Sequence, residues 1–210
     1  MKKINVLYNT TAGVEPTQGY ENDFAYDVYA SEGSLVPPLT FKSVQISTDL
    51  KTAFDPTEAG MKVSLRSGVA AKTPLIVSNT PGIIEGTYRD GIKILVRNTF
   101  IDNRLVDFVF NVEGERVPVK EIPEDVMNKA LEFYKEETEL LGYGDTTPEV
   151  KDMVYKTHVP AGTIYVAKHD RIAQMHFQDK ITANFINSKT LPKSERGKKG
   201  LGSSGTKLNK

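Results

Sequence analysis

The sequence predicts an all-β domain interrupted by one long helix and followed by a glycine-rich tail. Residues 4–96 fall into short apolar or alternating runs, broken by Gly13, Gly33, Pro37, Pro38, Gly60, Pro74, Pro81 and Gly82. Many short strands at such spacing read as a sandwich or barrel. The same pattern returns at residues 162–166 and 172–177. Between the two β stretches, the apolar period changes to 3.6 residues.

The strands come first. Residues 4–8, 43–46, 61–65 and 92–96 are the clearest runs, each four or five residues long. The helix comes next. Ile122, Pro123, Glu124 and Asp125 form a start signal, with acidic groups beside the positive end of the helix. Val126, Met127, Ala130, Leu131, Phe133, Tyr134 and Leu141 then share one broad face. Gly142 and Gly144 supply a stop, so the helix is placed at about residues 124–141. Residues 193–206 are mostly Gly, Ser and Lys, too poor in apolar surface to order themselves.

Bulk composition narrows the function. With 27 basic and 27 acidic side chains, the 210-residue chain carries no net charge. A duplex nucleic-acid binder normally shows a basic excess, so direct nucleic-acid binding is not expected. There is no cysteine, which removes thiol chemistry and thiolate metal sites. His158, His169 and His176 have no ligand spacing among themselves. No run reaches the ~20 apolar residues of a membrane span, and none follows the N-terminus at signal-peptide length. A soluble, cytoplasmic protein is expected.

Several residues suit phosphate chemistry. Gly200, Gly202 and Gly205 permit close approach of backbone N–H groups to an anion, Ser203 and Ser204 add hydroxyls, and Arg196 adds a forked cation. No Gly-Lys-Ser/Thr opens a helix, so an ATPase-type phosphate loop is not expected. Glu85 lies between Gly82 and Gly91 in a tight turn, where a carboxylate can orient an attacking water. By local chemistry alone Glu85 reads first as a solvated hairpin-tip residue, Asn79 equally as a turn cap, and Ser67 also as a turn serine. Asp27 is equally a structural residue at a strand start.

Five stretches choose among these readings: residues 25–30 (Ala-Tyr-Asp-Val-Tyr-Ala), 66–70 (Arg-Ser-Gly-Val-Ala), 79–98, 170–175 (Asp-Arg-Ile-Ala-Gln-Met) and 196–206. Their order and content resemble the five motifs of the homotrimeric dUTPases. The resemblance implies a distorted β-barrel or jelly-roll core at residues 1–99 and 157–190. It leaves residues 100–156 as a mainly helical insertion, and residues 191–210 as a flexible arm that closes over the triphosphate. Such insertions are found in dUTPases of phages of Gram-positive bacteria, some of which also bind repressors. A protein partner for the insertion is therefore a second expectation, and the cytoplasm would be that of the host cell. The other outcome is an insertion that packs its apolar face on its own chain.

By this resemblance Glu85 is the catalytic carboxylate, and Tyr88 stacks on the deoxyribose and excludes a ribose hydroxyl. Asn79, Gly82, Ile83 and Ile84 form the uracil slot, with Lys93 near the substrate. Ser67 and Gly68 bind the phosphates around the scissile bond, and Gln174 binds near the α-phosphate. Arg66 braces the site or touches substrate, and Arg171 serves a structural bridge. Arg196, Leu201, Gly202, Ser203 and Ser204 supply the arm. Asp27 holds the water shell of a Mg²⁺ ion, which itself sits mainly on the phosphates. Each site is shared among subunits of a trimer. The implied reaction is hydrolysis of dUTP to dUMP and pyrophosphate, which limits uracil in DNA and supplies dUMP for thymidylate.

Two departures stand out. Glu85 replaces the family's usual Asp and lengthens the reach by about 1.5 Å, a scale of misplacement that can cost roughly 100-fold in rate. Leu201 replaces a Phe that stacks on uracil, a loss of ~0.5–1.5 kcal/mol. A dCTP deaminase shares the fold, but it carries a Glu where this chain has Leu95.

Overall fold

The computed structural model describes residues 3–11, 14–143 and 147–197. The chain divides into a unit of Met1–Lys180 and a separate unit of Ile181–Lys210. The regular structure of the first unit is mostly strand. Its central sheet has the order β2 (Tyr26–Tyr29), β15 (Arg171–Asp179), β6 (Ala59–Leu65), β8 (Gly82–Ile84), with every neighbour antiparallel. A three-stranded sheet follows the order β4 (Val44–Ser47), β9 (Lys93–Asn98), β7 (Leu75–Val77).

Side-chain alternation explains why these strands form. In β6, Ala59, Met61 and Val63 are buried, while Gly60, Lys62 and Ser64 between them are half exposed. In β9, Ile94 and Val96 are buried, and Lys93, Leu95 and Arg97 face outward. Met61, Val63, Ile94 and Val96 meet Val28, Ile46, Ile92, Ile172 and Met175 in one core. Burying each such side chain contributes about 1.5–3 kcal/mol. The all-β expectation therefore holds for the core, and strand positions follow the alternating runs. The run at residues 4–8 yields only a short strand, β1 (Leu7–Asn9), paired with β5 (Lys51–Ala53).

The insertion is helical only in part. Helix α2 spans Glu124–Leu141 and ends on Gly142, whose φ of +62° is the left-handed conformation glycine adopts without strain. A six-residue helix, α3, spans Pro148–Met153. Before them come β10 (Leu105–Val106), β11 (Phe108–Asn111), β12 (Arg116–Pro118) and a 3-10 turn at Val119–Glu121. β10 pairs with β13 (Val159–Pro160). β11 lies parallel to β14 (Ile164–Val166), which pairs in turn with β3 (Ser34–Val36). The inserted hairpin thus extends a sheet of the core. Val126, Met127 and Ala130 of α2 pack with Leu35, Val109, Ile122, Tyr155 and Val159 in a second core. The amphipathic face is consumed within the chain.

One buried residue on that face is charged. Glu137 stands seven residues after Ala130 and is 8% exposed. Its carboxylate accepts the backbone N–H groups of Phe41 (3.1 Å) and Lys42 (2.5 Å), which compensates its burial. In the second unit, residues 181–197 form no helix or strand and are exposed. Leu201, Gly202, Ser203, Ser204 and the stop residue Gly144 lie outside the described residues.

Candidate active site

The turn after β8 is built by close approach. A side chain on Gly86 would sit far inside van der Waals contact of the Phe54 carbonyl oxygen, and the Phe54 N–H donates to Gly86 O at 3.4 Å. Only glycine fits there, and it fixes the backbone next to Glu85. The Tyr88 N–H donates to Glu85 O at 3.0 Å and closes the turn. The Tyr88 hydroxyl donates to Gly91 O at 3.3 Å. Arg89, which the sequence reading passed over, donates to Gly86 O at 2.6 Å and to Tyr88 O at 2.9 Å. Its signal was a cation inside a turn crowded with carbonyl oxygens.

The Glu85 side chain is exposed, free of the backbone that holds it. With Ile83 it lines a recess of about 190 Å³ that Lys62 and Lys180 also border. Asn79 leaves the end of β7, where the Ser78 N–H donates to Leu95 O at 2.8 Å. The Asn79 amide atoms lie 3.6 and 3.7 Å from where a Gly82 Cβ would stand. Asn79, Gly82, Ile83, Ile84, Glu85 and Tyr88 therefore share the short stretch formed by β8 and the turns on either side of it. Lys93 is exposed at the start of β9, opposite Ser47.

A second group gathers around Asp27. Its side chain is 10% exposed and pairs with Arg66 Nε at 2.8 Å and with an Arg171 terminal nitrogen at 3.3 Å. Gln174 is the cross-strand neighbour of Asp27 on one side and of Ser64 on the other. Arg66 immediately precedes the short helix α1 (Ser67–Lys72), and its N–H donates to Ile172 O at 3.3 Å. Ser67 and Gly68 are exposed at the head of that helix, with open space where a Gly68 Cβ would lie. Two guanidinium groups thus hold one buried carboxylate, with Gln174 across the strand from it and Ser67 next in the chain after Arg66.

The chain does not bring the two groups together. Gly82 pairs with Val63 in β6, whereas Asp27 lies two strands beyond β6 in the same sheet. Three strand spacings separate them, roughly 14 Å. Arg196 belongs to the separate C-terminal unit. Among the described residues, no group of three or more His, Asp or Glu side chains could hold a metal ion. Both Asp27 oxygens already bind arginine, yet each keeps a lone pair, which suits contact with an ion through water.

The dUTPase family profile matches residues 12–104 and 141–205. The chain belongs to the dUTPase family. The unmatched stretch, residues 105–140, begins at β10 and runs through almost all of α2. A Fusobacterium nucleatum deoxyuridine 5'-triphosphate nucleotidohydrolase is 30% identical over 140 residues, covering 65% of this chain and 88% of that one. The Clostridium kluyveri enzyme of the same name is 28% identical over 146 residues, covering 70% and 95%. Among solved structures, the Staphylococcus bacteriophage 80alpha dUTPase with dUPNHPP superposes with a TM-score of 0.71 at 22% identity. It covers 98% of this chain and all of that one. The phage phi11 dUTPase of S. aureus, whose structure shows a species-specific insert, gives 0.63 at 19%, covering 90% and 98%. The dUTPase fold of these phage proteins therefore extends through the inserted segment of this chain as well. Among the described residues no helix is long and apolar enough to cross a membrane.

Proposed function

We propose that the protein hydrolyses dUTP to dUMP and pyrophosphate. Family membership supplies the reaction class, and the turn that presents Glu85 beside Tyr88 carries the residue assignment. Glu85 orients a water and accepts its proton as the water oxygen bonds to the α-phosphorus. The bond from that phosphorus to the bridging oxygen breaks, and pyrophosphate leaves with the electron pair. Asn79 and the β8 backbone hold uracil, and Tyr88 lies against the sugar. Arg66, Ser67, Gly68 and Gln174 bind the phosphate chain. Lys93 lies near the substrate, and Arg196 acts with the arm.

The roughly 14 Å between Gly82 and Asp27 supports a homotrimer in which the Glu85 turn of one subunit meets the Asp27 group of another. Asp27 aims Arg66 and is the residue that would hold Mg²⁺, an ion that would supply neutralisation of phosphate charge when bound. Most of the rate then comes from positioning and electrostatics.

The test is pyrophosphate release from dUTP, dCTP, dTTP and UTP with Mg²⁺. Turnover should be confined to dUTP, and Glu85→Gln should lower kcat by at least about 100-fold. Turnover of none of the four, or an active Glu85→Gln, sinks the assignment. Deamination finds no support, since Leu95 is an apolar residue within β9. A regulatory role through the insertion is also weakened, because the apolar stripe of α2 is buried on its own chain.

A further inference from the structure

We infer that Glu137, on the inserted helix, positions the base-binding Asn79. The inference rests on the uracil role proposed above for Asn79. Glu137 grips the loop at residues 40–42 by taking the N–H groups of Phe41 and Lys42. From the other side, Arg97 of β9 donates to Thr40 O at 3.4 Å and to Phe41 O at 2.6 Å. A carboxylate holds the donors of this loop and a guanidinium holds its acceptors, so its place is fixed on both sides. The adjacent Lys42 ammonium reaches Glu136 at 2.8 Å.

Two links run from this loop to Asn79. The first is the sheet. Val44, two residues after Lys42, pairs with Val96, and Val96 pairs with Val77, two residues before Asn79. All three valines are buried, at 7%, 0% and 7% exposure. The second link is a hydrogen bond of 2.6 Å between the hydroxyls of Ser43 and Ser78. Asn79 leaves the sheet at the next residue. A shift of this loop is therefore passed to the edge from which the base-reading amide projects. Rigid, contiguous contacts of this kind carry coupling between sites. Glu137 thereby supports the substrate-binding apparatus without touching substrate.

The experiment measures kcat and KM for dUTP and the dUTP/dTTP selectivity of the full chain. The variants are Glu137→Gln, Ser43→Ala, the double variant, Met127→Ala and Asn79→Ala. An amide in place of Glu137 sets its NH₂ against a backbone N–H and releases one side of the loop. KM should rise about 2- to 30-fold with kcat nearly unchanged, and the double variant should add less than the sum of the two singles. Met127→Ala loosens the same helix away from the loop and should leave KM unmoved. Ser43→Ala is an exposed change that keeps the test decisive if Glu137→Gln does not fold. The inference is overturned if Glu137→Gln and Ser43→Ala keep the wild-type KM while Asn79→Ala raises it. It is overturned too if Met127→Ala raises KM as much as Glu137→Gln does. An unchanged KM in Asn79→Ala, or a wild-type protein inert on dUTP, removes the uracil reading itself and this inference with it.

Discussion

Asp27 shows how one side chain joins stability to function. It is nearly buried between two arginines, and removing its charge would leave both guanidinium groups unpaired at a protein–solvent boundary. Breaking a buried pair in this way costs about 3–5 kcal/mol, lowered by the half exposure of Arg171. Asp27→Asn should therefore lower the urea midpoint, and it should lower kcat because Arg66 loses its aim. A variant with wild-type stability and kcat would mean the pair does nothing. The sequence marked Asp27, Arg66 and Arg171 separately, within motifs that resemble those of a family. Their meeting was not legible, because it depends on β15 lying between β2 and β6, which no local pattern encodes. The turn that carries Glu85 was legible for a different reason. Gly82, Gly91 and the apolar runs around them mark a tight turn by composition alone.

At the scale of the element, helix α2 was the most readable feature and also held what periodicity could not show. Its start, its end on Gly142 and its apolar stripe follow from spacing and capping. Glu137 falls on the same stripe and would be scored as an error in a buried face. It is tolerated because two backbone N–H groups of a loop 95 and 96 residues away meet it. The hairpin of β11 and β12 was missed. Phe108, Val109 and Phe110 form a continuous apolar run, which periodicity cannot assign to strand or helix, and its partner β14 lies more than fifty residues on. The packing of α2 is testable apart from the site. Met127 is 6% exposed in the second core. Met127→Ala should cost about 2–5 kcal/mol, read as a lower urea midpoint with an unchanged slope. A loss under about 0.5 kcal/mol, the range of ordinary surface changes, would show that the helix face is not packed as described.

For the whole molecule, charge and fold meet at Asp170. This residue sits in the turn between β14 and β15, and its carboxylate accepts the Ala167 N–H at 2.7 Å. Its backbone N–H donates to Ala167 O, and its carbonyl accepts the Ala30 N–H, so the turn ties β15 to the end of β2. Burial pushes its pKa above the ordinary aspartate value of 3.8; the Ala167 N–H opposes the shift and the nearby Glu113 charge adds to it. An acid held above its unfolded value binds its proton more tightly when folded. It contributes stability below the ordinary value, and that contribution is lost as pH rises through the raised one. Asp55, Asp102 and Glu113, whose carboxyls are held below their ordinary pKa by hydrogen bonds, act on the total as well, so the informative quantity is the difference between a variant and the wild type. Asp170→Asn keeps an acceptor for the Ala167 N–H and cannot ionise. Its urea midpoint relative to wild type should be higher at pH 7 than at pH 4, because only the wild type then buries a charge in this turn. A difference that stays constant over that interval, or runs the other way, would place the proton affinity of Asp170 at or below its ordinary value. The turn would then be held by its backbone hydrogen bonds alone, with no penalty from the carboxylate.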